Sequence, residues 1–309
     1  MDLQVLGFVE LPENTGPGGF DHAAYHPGCG CLYVAHTINN ALDVIDCHTD
    51  RYSRSIPDLA GVAGALVCAE KGLIFTSNRG ENTVGIFHSD SENEMVKIGV
   101  GIRPNGLSFD PIRGHLLAAN VGDPSIPASF TLSLVSVSAG KMIASIPVPG
   151  RTRWTIYDRQ ADVFYVNISD PAQIVVVAGN QPDRIARVIP IPTAGPHGLD
   201  LDDKTGRLFC ACDGKVLVTL EARSGQIQSQ LNLSGSPDVT FFNPAMHHLY
   251  VASGDPGVID VFDTNKMRLI RTVPTEKGAH TLGFDPDRNK IYAFLPQTHR
   301  ALIYQDKII

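Results

Sequence analysis

An all-β fold built from a closed ring of repeats is predicted by three observations. A short phrase recurs seven times, roughly every 42 residues. Each copy pairs two short apolar strands across a Pro-, Gly- or Asp-marked turn. No stretch shows a sustained helical period. The phrases begin at Asp21 (DHAAYHP), Ala63 (AGALVCAE), Asn105 (NGLSFDP), Arg153 (RWTIYDR), His197 (HGLDLDD), Asp238 (DVTFFNP) and His280 (HTLGFDP), at spacings of 42, 42, 48, 44, 41 and 42. Such a period made of short strands is the signature of a seven-bladed β-propeller, with one four-stranded blade per repeat.

The third repeat shows the plan of a blade. Strand A is predicted at 106–109, followed by a turn at Asp110-Pro111-Ile112-Arg113-Gly114, where Pro and Gly punctuate the chain. Strand B follows at 116–119, strand C near 131–137 and strand D near 141–148. Strand B recurs as LYVAH, IFTSN, FYVN, LFCAC, LYVAS and IYAFL. These runs are rich in the β-branched and aromatic residues that suit strands. The extra residues of the third repeat fall at 121–130 (VGDPSIPASF), a composition that suits a surface loop. The seventh repeat supplies strands A, B and C near residues 281, 291 and 301–304, and then the chain stops. Its missing outer strand is predicted at the other end, in residues 3–11 (LQVLGFVEL), whose pattern matches the outer strands RLIRTVP and RIARVIPIP. This closure leaves few open strand edges. The whole chain, 1–309, is therefore read as one domain, against the two that its length alone would suggest.

Bulk composition fits. The 309 residues carry a formal net charge of −7, 18 % are charged, and 29 Gly and 21 Pro mark a turn-rich chain. Mild acidity argues against nucleic acid as the main partner. No apolar run approaches the roughly 18 residues that span a bilayer. The N-terminal MDLQVLGFVELPENTG lacks a basic segment followed by an apolar core. A cytoplasmic protein with no membrane association is expected, acting on a small-molecule ligand, with a protein partner as a further expectation. Six cysteines occur at 29, 31, 47, 68, 210 and 212. None has the Cys-x2-Cys spacing of structural zinc, and they read as free thiols packed as small apolar groups.

Segments such as Leu32-Tyr33-Val34-Ala35-His36, Leu249-Tyr250-Val251-Ala252-Ser253 and Pro196-His197-Gly198-Leu199 resemble the YVTN family of propeller repeats. The stretch 235–292, above all Thr272-Val273-Pro274-Thr275-Glu276-Lys277-Gly278-Ala279-His280-Thr281, is similar to the YncE-like bacterial branch. The resemblance covers nearly the whole chain and implies the fold. For activity it implies a range, from binding proteins to related metal-dependent lactonases and lyases, and no catalytic set carries over by position.

The candidate site follows from the ring itself. The first residue of each phrase starts an innermost strand, so Asp21, Ala63, Asn105, Arg153, His197, Asp238 and His280 are expected to meet near the axis. The ends of the B strands bring His36, Asn78 with Arg79, Asn120, Asn167, Asp213, Asp255 and Gln297 to the same face. Repeats five, six, seven and one give His197, Asp238, His280 and Asp21 in succession. Two imidazoles and two carboxylates suit a divalent ion such as zinc, iron or manganese with open positions. Such an ion could polarise a carbonyl or activate water. Arg153, Asn105, Arg79 and Trp154 are the expected substrate contacts, with Arg103 nearby, and His36 or His22 the expected general base. The chemistry that follows is a metal-dependent hydrolase or lyase acting on a small anionic or carbonyl-bearing molecule. A non-catalytic binding propeller is the alternative, and so is an axis lined with polar groups that hold only water or loop backbone. His26, His115, His247 and His248 read as surface or turn residues. No Gly-rich phosphate loop or nucleophile elbow occurs.

Overall fold

The computed structural model describes residues 2–307, so residues 1, 308 and 309 of the expected domain lie outside the described residues. Seven four-stranded antiparallel sheets stand in a ring, the architecture of a seven-bladed β-propeller. In the third blade the strands run Pro104–Asp110, His115–Asn120, Thr131–Ser136 and Lys141–Pro147, in sequence order from axis to rim. The seventh blade breaks that order. Its inner strands Thr281–Asp285, Lys290–Leu295 and Arg300–Lys307 are completed at the rim by the N-terminal strand Asp2–Glu10. Leu302 pairs with Phe8 and Ala301 with Val9, so the two ends of the chain lock the circle. Leu3, Val9 and Leu11 are buried there.

Burial explains why strand B reads as a continuous apolar run. Both of its faces lie between neighbouring blades, and in Leu73–Asn78 every residue is buried. A strand covered on both sides loses the alternation of a half-exposed one. The rim strands keep it: Ile227–Asn232 alternates between half-buried and exposed positions. The core is accordingly a series of inter-blade layers. One of them packs Tyr33, Leu42 and Val44 of blade one against Ile74 and Phe87 of blade two. Among the described residues, helical content is limited to three short 3-10 turns, at Thr37–Asn39, Ala69–Lys71 and Glu92–Glu94. Residues 121–127 of the long loop in blade three carry no strand.

One local irregularity positions the axis residues. In blades one to six the pairing of strands A and B slips near the start of strand A, for example between Pro104 and Leu107 and between Thr152 and Thr155. A bulge releases side chains from the ladder and re-aims them. The residues released are those that open the phrases, Asp21, Asn105, Arg153, His197 and Asp238 among them. The next residue is often glycine, for a steric reason. A Cβ on Gly64, Gly106 or Gly198 would lie 2.3–2.6 Å from a carbonyl oxygen of the next blade's inner strand. The inner strands can approach this closely only without a side chain at that point. Blades one and four carry His22 and Trp154 there instead. These two rings meet with centroids 4.0 Å apart.

The cysteines are free: Cys47, Cys68, Cys210 and Cys212 are buried, Cys31 is half-buried and Cys29 exposed. The reading of His248 as a surface or turn residue is corrected. It is buried, and its Nδ1 lies 2.5 Å from Asp306, which also accepts a hydrogen bond from the Tyr250 hydroxyl. His248 opens a B strand, and that position faces the adjoining blade.

Candidate functional site at the propeller axis

At the end of the axis where the A strands begin, charged side chains form two arcs. The first is built on blades five, six and seven. Asp238 stands between two histidines, its Oδ1 3.3 Å from His197 Nε2 and its Oδ2 3.8 Å from His280 Nε2. Behind His197, Nδ1 lies 2.7 Å from Asp213 Oδ1. His280 Nδ1 lies 2.8 Å from the Gly278 carbonyl oxygen, which can only accept, so Nδ1 carries the proton. The lone pair of a neutral His280 ring is therefore on Nε2, on a side chain that is 37 % exposed.

The second arc is positive. Arg79 lies 3.0 Å from Asp21, and Arg153 lies 3.3 Å from Asp213. Arg151 stands close enough to interact electrostatically with both and with Arg103. Neither Arg103 nor Arg151 makes a direct ion pair with a carboxylate among the described residues, though Asp123 acts on Arg103 and Asp213 on Arg151 from further off. Arg103 is also held at φ 56°, in the left-handed region that costs a side-chain-bearing residue on the order of 1 kcal/mol. Buried Nε atoms of Arg79 and Arg153 and the Oδ1 of Asn105 lack hydrogen-bond partners.

Proton affinities follow from this layout. Desolvation disfavours the charged form of His197, yet the Asp238 charge and the hydrogen bonds that the ring donates to Asp213 and Asp238 outweigh it and raise its pKa to about 9, with Arg153 pulling the other way. Desolvation also penalises the Asp238 carboxylate, but His197 above all, then His280 and His22, hold it well below the usual carboxylate range. His22 goes the opposite way: burial pushes its pKa down, with Arg79 and His197 adding to the effect against Asp21 and Asp238. Burial thus keeps the His22 ring neutral at neutral pH, while two carboxylates favour the imidazolium form of His197 against Arg153, whose Nη1 lies 3.0 Å from Nε2 and can only donate.

The sequence-derived residues fall into three groups. His197, Asp238 and His280 come together, and Arg153 stands against them, its Nη1 3.0 Å from His197 Nε2. Asp21 lies instead with Arg79 and with His22, whose Nε2 is 3.3 Å away. His36 does not join the axis cluster. It is fully buried inside blade one, with Nδ1 2.8 Å from Asp43 and Nε2 2.8 Å from Asn14, so both nitrogens are committed. The same holds for most B-strand ends: Asn78 bonds Thr83, Asn120 bonds Thr131 and Ser133, and Asn167 caps the carbonyls of His197 and Gly198. Arg151 is the residue that sequence reasoning missed. Its signal was the run Gly150-Arg151-Thr152-Arg153, which places two guanidinium groups just before and at the start of one inner strand.

The donors do not fit a metal centre as they stand. His197 Nε2, the atom that would ligate, faces Asp238 and has Arg153 Nη1 3.0 Å away, a cation where the ion would sit. Among the described residues no group of three or more His, Cys, Asp or Glu side chains is arranged to hold a metal ion.

Beyond the His22–Trp154 contact, towards the A–B turns, the axis widens into a cavity of about 740 Å3. Its walls are apolar and aromatic, with Trp154, Phe241, Phe284 and Tyr25 among them. No helix among the described residues is long and apolar enough to cross a membrane.

No protein-family model matches the chain, and no curated protein does. Solved structures do share its shape. Hydrazine synthase of Kuenenia stuttgartiensis is similar over 96 % of this chain and 98 % of its own, with a TM-score of 0.83 and 12 % identity. A chain in a crystal structure of the mitotic checkpoint complex is similar over 99 % of this chain and 93 % of its own, with a TM-score of 0.83 and 9 % identity. At these identities the likeness carries the fold alone, and this chain has the β-propeller fold.

Proposed function

We propose that the mouth of the axis at the A-strand starts binds a small anionic molecule, its acid group held by Arg79, Arg103, Arg151 and Arg153. The observation that carries this reading is the crowding of four guanidinium groups, of which two make no direct ion pair among the described residues. Burial, and then Arg153, Arg79 and Arg103, push even the Arg151 pKa down. Like charges gathered at this cost are relieved by a bound carboxylate or phosphate, for which guanidinium is the fitting donor. Next to the acid group, His197, in contact with Arg153, and then His280 would face the rest of the ligand. Imidazole side chains at these two positions can give and take protons at a carbonyl-bearing anion, which supports hydrolysis or elimination as the reaction class. The YVTN-like phrases of the blades support placing the chain with the YVTN and YncE-like propellers, in which case binding without turnover would use the same mouth.

Calorimetric titration with inorganic phosphate, malonate and acetate tests the reading. Saturable binding of at least one is expected, weakened by about 2–3 kcal/mol in Arg153→Ala, as for loss of a charge-assisted pair in a confined site. No saturable binding of any of the three overturns it. Elemental analysis of protein purified without added metal separates this reading from a metal-dependent hydrolase or lyase. About one divalent ion per chain, lost in both His197→Ala and His280→Ala, would establish a metal site instead.

A further inference from the structure

The cavity at the other end of the axis has a chemistry of its own. Its volume, about 740 Å3, lies within the usual range for a small-molecule site. Five residues with ionisable acid or guanidinium groups line it: Glu70, Asp200, Asp203, Asp287 and Arg159. Arg159, the one cation among them, lies 3.1 Å from Glu70. No cationic side chain pairs with Asp200, Asp203 or Asp287 among the described residues. The aromatic walls present ring faces and edges to the same space. At its inner end the cavity meets His22, which is 5 % exposed. Its Nε2 is turned to Asp21, and its Nδ1 has no hydrogen-bond partner among the described residues. The Asp21 carboxylate 3.3 Å from Nε2 favours the proton of the neutral ring there and leaves Nδ1 as the acceptor. The charged groups not already neutralised in this funnel are therefore anions, beside the His22 acceptor and the unpartnered hydroxyl of Thr240.

We propose that the funnel is a second ligand site and that it takes an organic cation, an ammonium group carried on an apolar ring. Aromatic faces attract a desolvated cation, the ring of the ligand replaces water against the apolar walls, and the carboxylates supply the counter-charge. Asp200 is suited to this part. Its two oxygens accept the backbone N–H groups of Leu201 at 2.8 Å and Phe242 at 2.6 Å, which fixes the carboxyl group and leaves further lone pairs unused. Burial raises its pKa to about 7, and a cation beside it would favour the carboxylate form. The site is separate from the arginine-lined mouth, because His22 and Trp154 meet between the two.

Trp154 is the only tryptophan of the chain, so its fluorescence reports on the funnel. The experiment titrates the full-length protein with 2-phenylethylamine and, in parallel, with the uncharged 2-phenylethanol. The expected result is a saturable change in Trp154 emission with the amine, at an affinity at least tenfold tighter than with the alcohol. Replacing both Asp203→Asn and Asp287→Asn should weaken the amine at least fivefold, while Arg151→Ala at the far mouth should leave it unchanged. A melting curve checks that the double variant is folded, and if it is not, the amine–alcohol comparison on the wild type decides alone. Equal affinity for amine and alcohol, no saturable change, or an amine response lost in Arg151→Ala and kept in the double variant would each overturn the proposal.

Discussion

The two ends of the axial channel are made from the same strands and have opposite chemistry. The mouth is lined by the residues that open each phrase, and it is charged: four arginines on one side, two histidines and their carboxylates on the other. The funnel is lined by the residues two to seven positions further along, and it is aromatic with an acidic rim. The difference teaches how a propeller divides its labour. Near the start of strand A a bulge releases side chains from the ladder, and polar groups can converge there at no loss of pairing. Further along, the ladder is regular and the inner strands splay, so the space between them is walled by apolar side chains. His22 and Trp154 stand where three other blades have glycine, and their contact keeps the two ends apart.

The largest expected effect removes the frame that both ends share. Deleting residues 1–12 uncovers the edge of strand Arg300–Lys307 and removes the buried Leu3, Val9 and Leu11. At about 1.5–3 kcal/mol for each buried aliphatic side chain, the loss is several kcal/mol. Thermal melting of the truncated chain should show it, and ligand binding should weaken at both ends together. A truncated protein that melts like the full chain would mean that the closure contributes nothing.

Next in size is a change confined to the mouth. Asp238→Asn takes away the counter-charge shared by His197 and His280, and a loss of about 1–3 kcal/mol is expected, less than for a fully buried pair because the side chains are partly exposed. The pH dependence has a definite sign. The folded-state pKa of His197 is raised to about 9, above the value of about 6.5 for an unperturbed histidine. Its contribution to stability is therefore complete below pH 6.5 and fades as pH rises to 9. Melting of the wild type and of His197→Gln across this range should differ most at pH 6 and converge above pH 9. A gap that widens with pH would show that His197 is neutral in the folded protein.

A smaller effect separates the arginines. Arg151 makes no direct ion pair among the described residues, whereas Arg153 lies 3.3 Å from Asp213. Arg151→Ala should weaken a bound anion by about 1 kcal/mol, as expected for a partly exposed charge, and should leave stability unchanged or slightly improved through relief of repulsion. A clear fall in melting temperature would point to a structural role for Arg151.

The smallest expected change in stability, and the most direct probe of the division itself, is His22→Gly. It restores the residue type of blades two, three and five and removes one side of the contact that closes the waist. Iodide, drawn to the arginines, should then quench Trp154 fluorescence more strongly than in the wild type. Quenching that is unchanged would mean that another part of the structure closes the channel.

Much of the fold was legible in the sequence. The phrase repeats because each blade solves the same local problem, a strand, a tight turn and a return strand buried on both faces. The run Leu73–Asn78 and the turn at Asp110-Pro111 state that solution in residue types alone. The missing last strand was likewise visible as a leftover at the N-terminus. What belonged to the candidate site was legible in part. Equivalent places in equivalent repeats meet at the axis, so His197, Asp238, His280 and Arg153 could be named from position. Their relations could not. That Arg153 stands beside His197 Nε2, that Arg151 joins the cluster, that His36 turns into its own blade to meet Asp43, and that His22 reaches Trp154 from a blade on the other side of the ring all depend on side-chain direction at a bulge and on the angle between blades. Periodicity fixes where a residue sits along the repeat, because strand pairing is local. The tertiary structure alone decides which way it points at the axis, because there seven strands from distant parts of the chain compete for the same few ångströms.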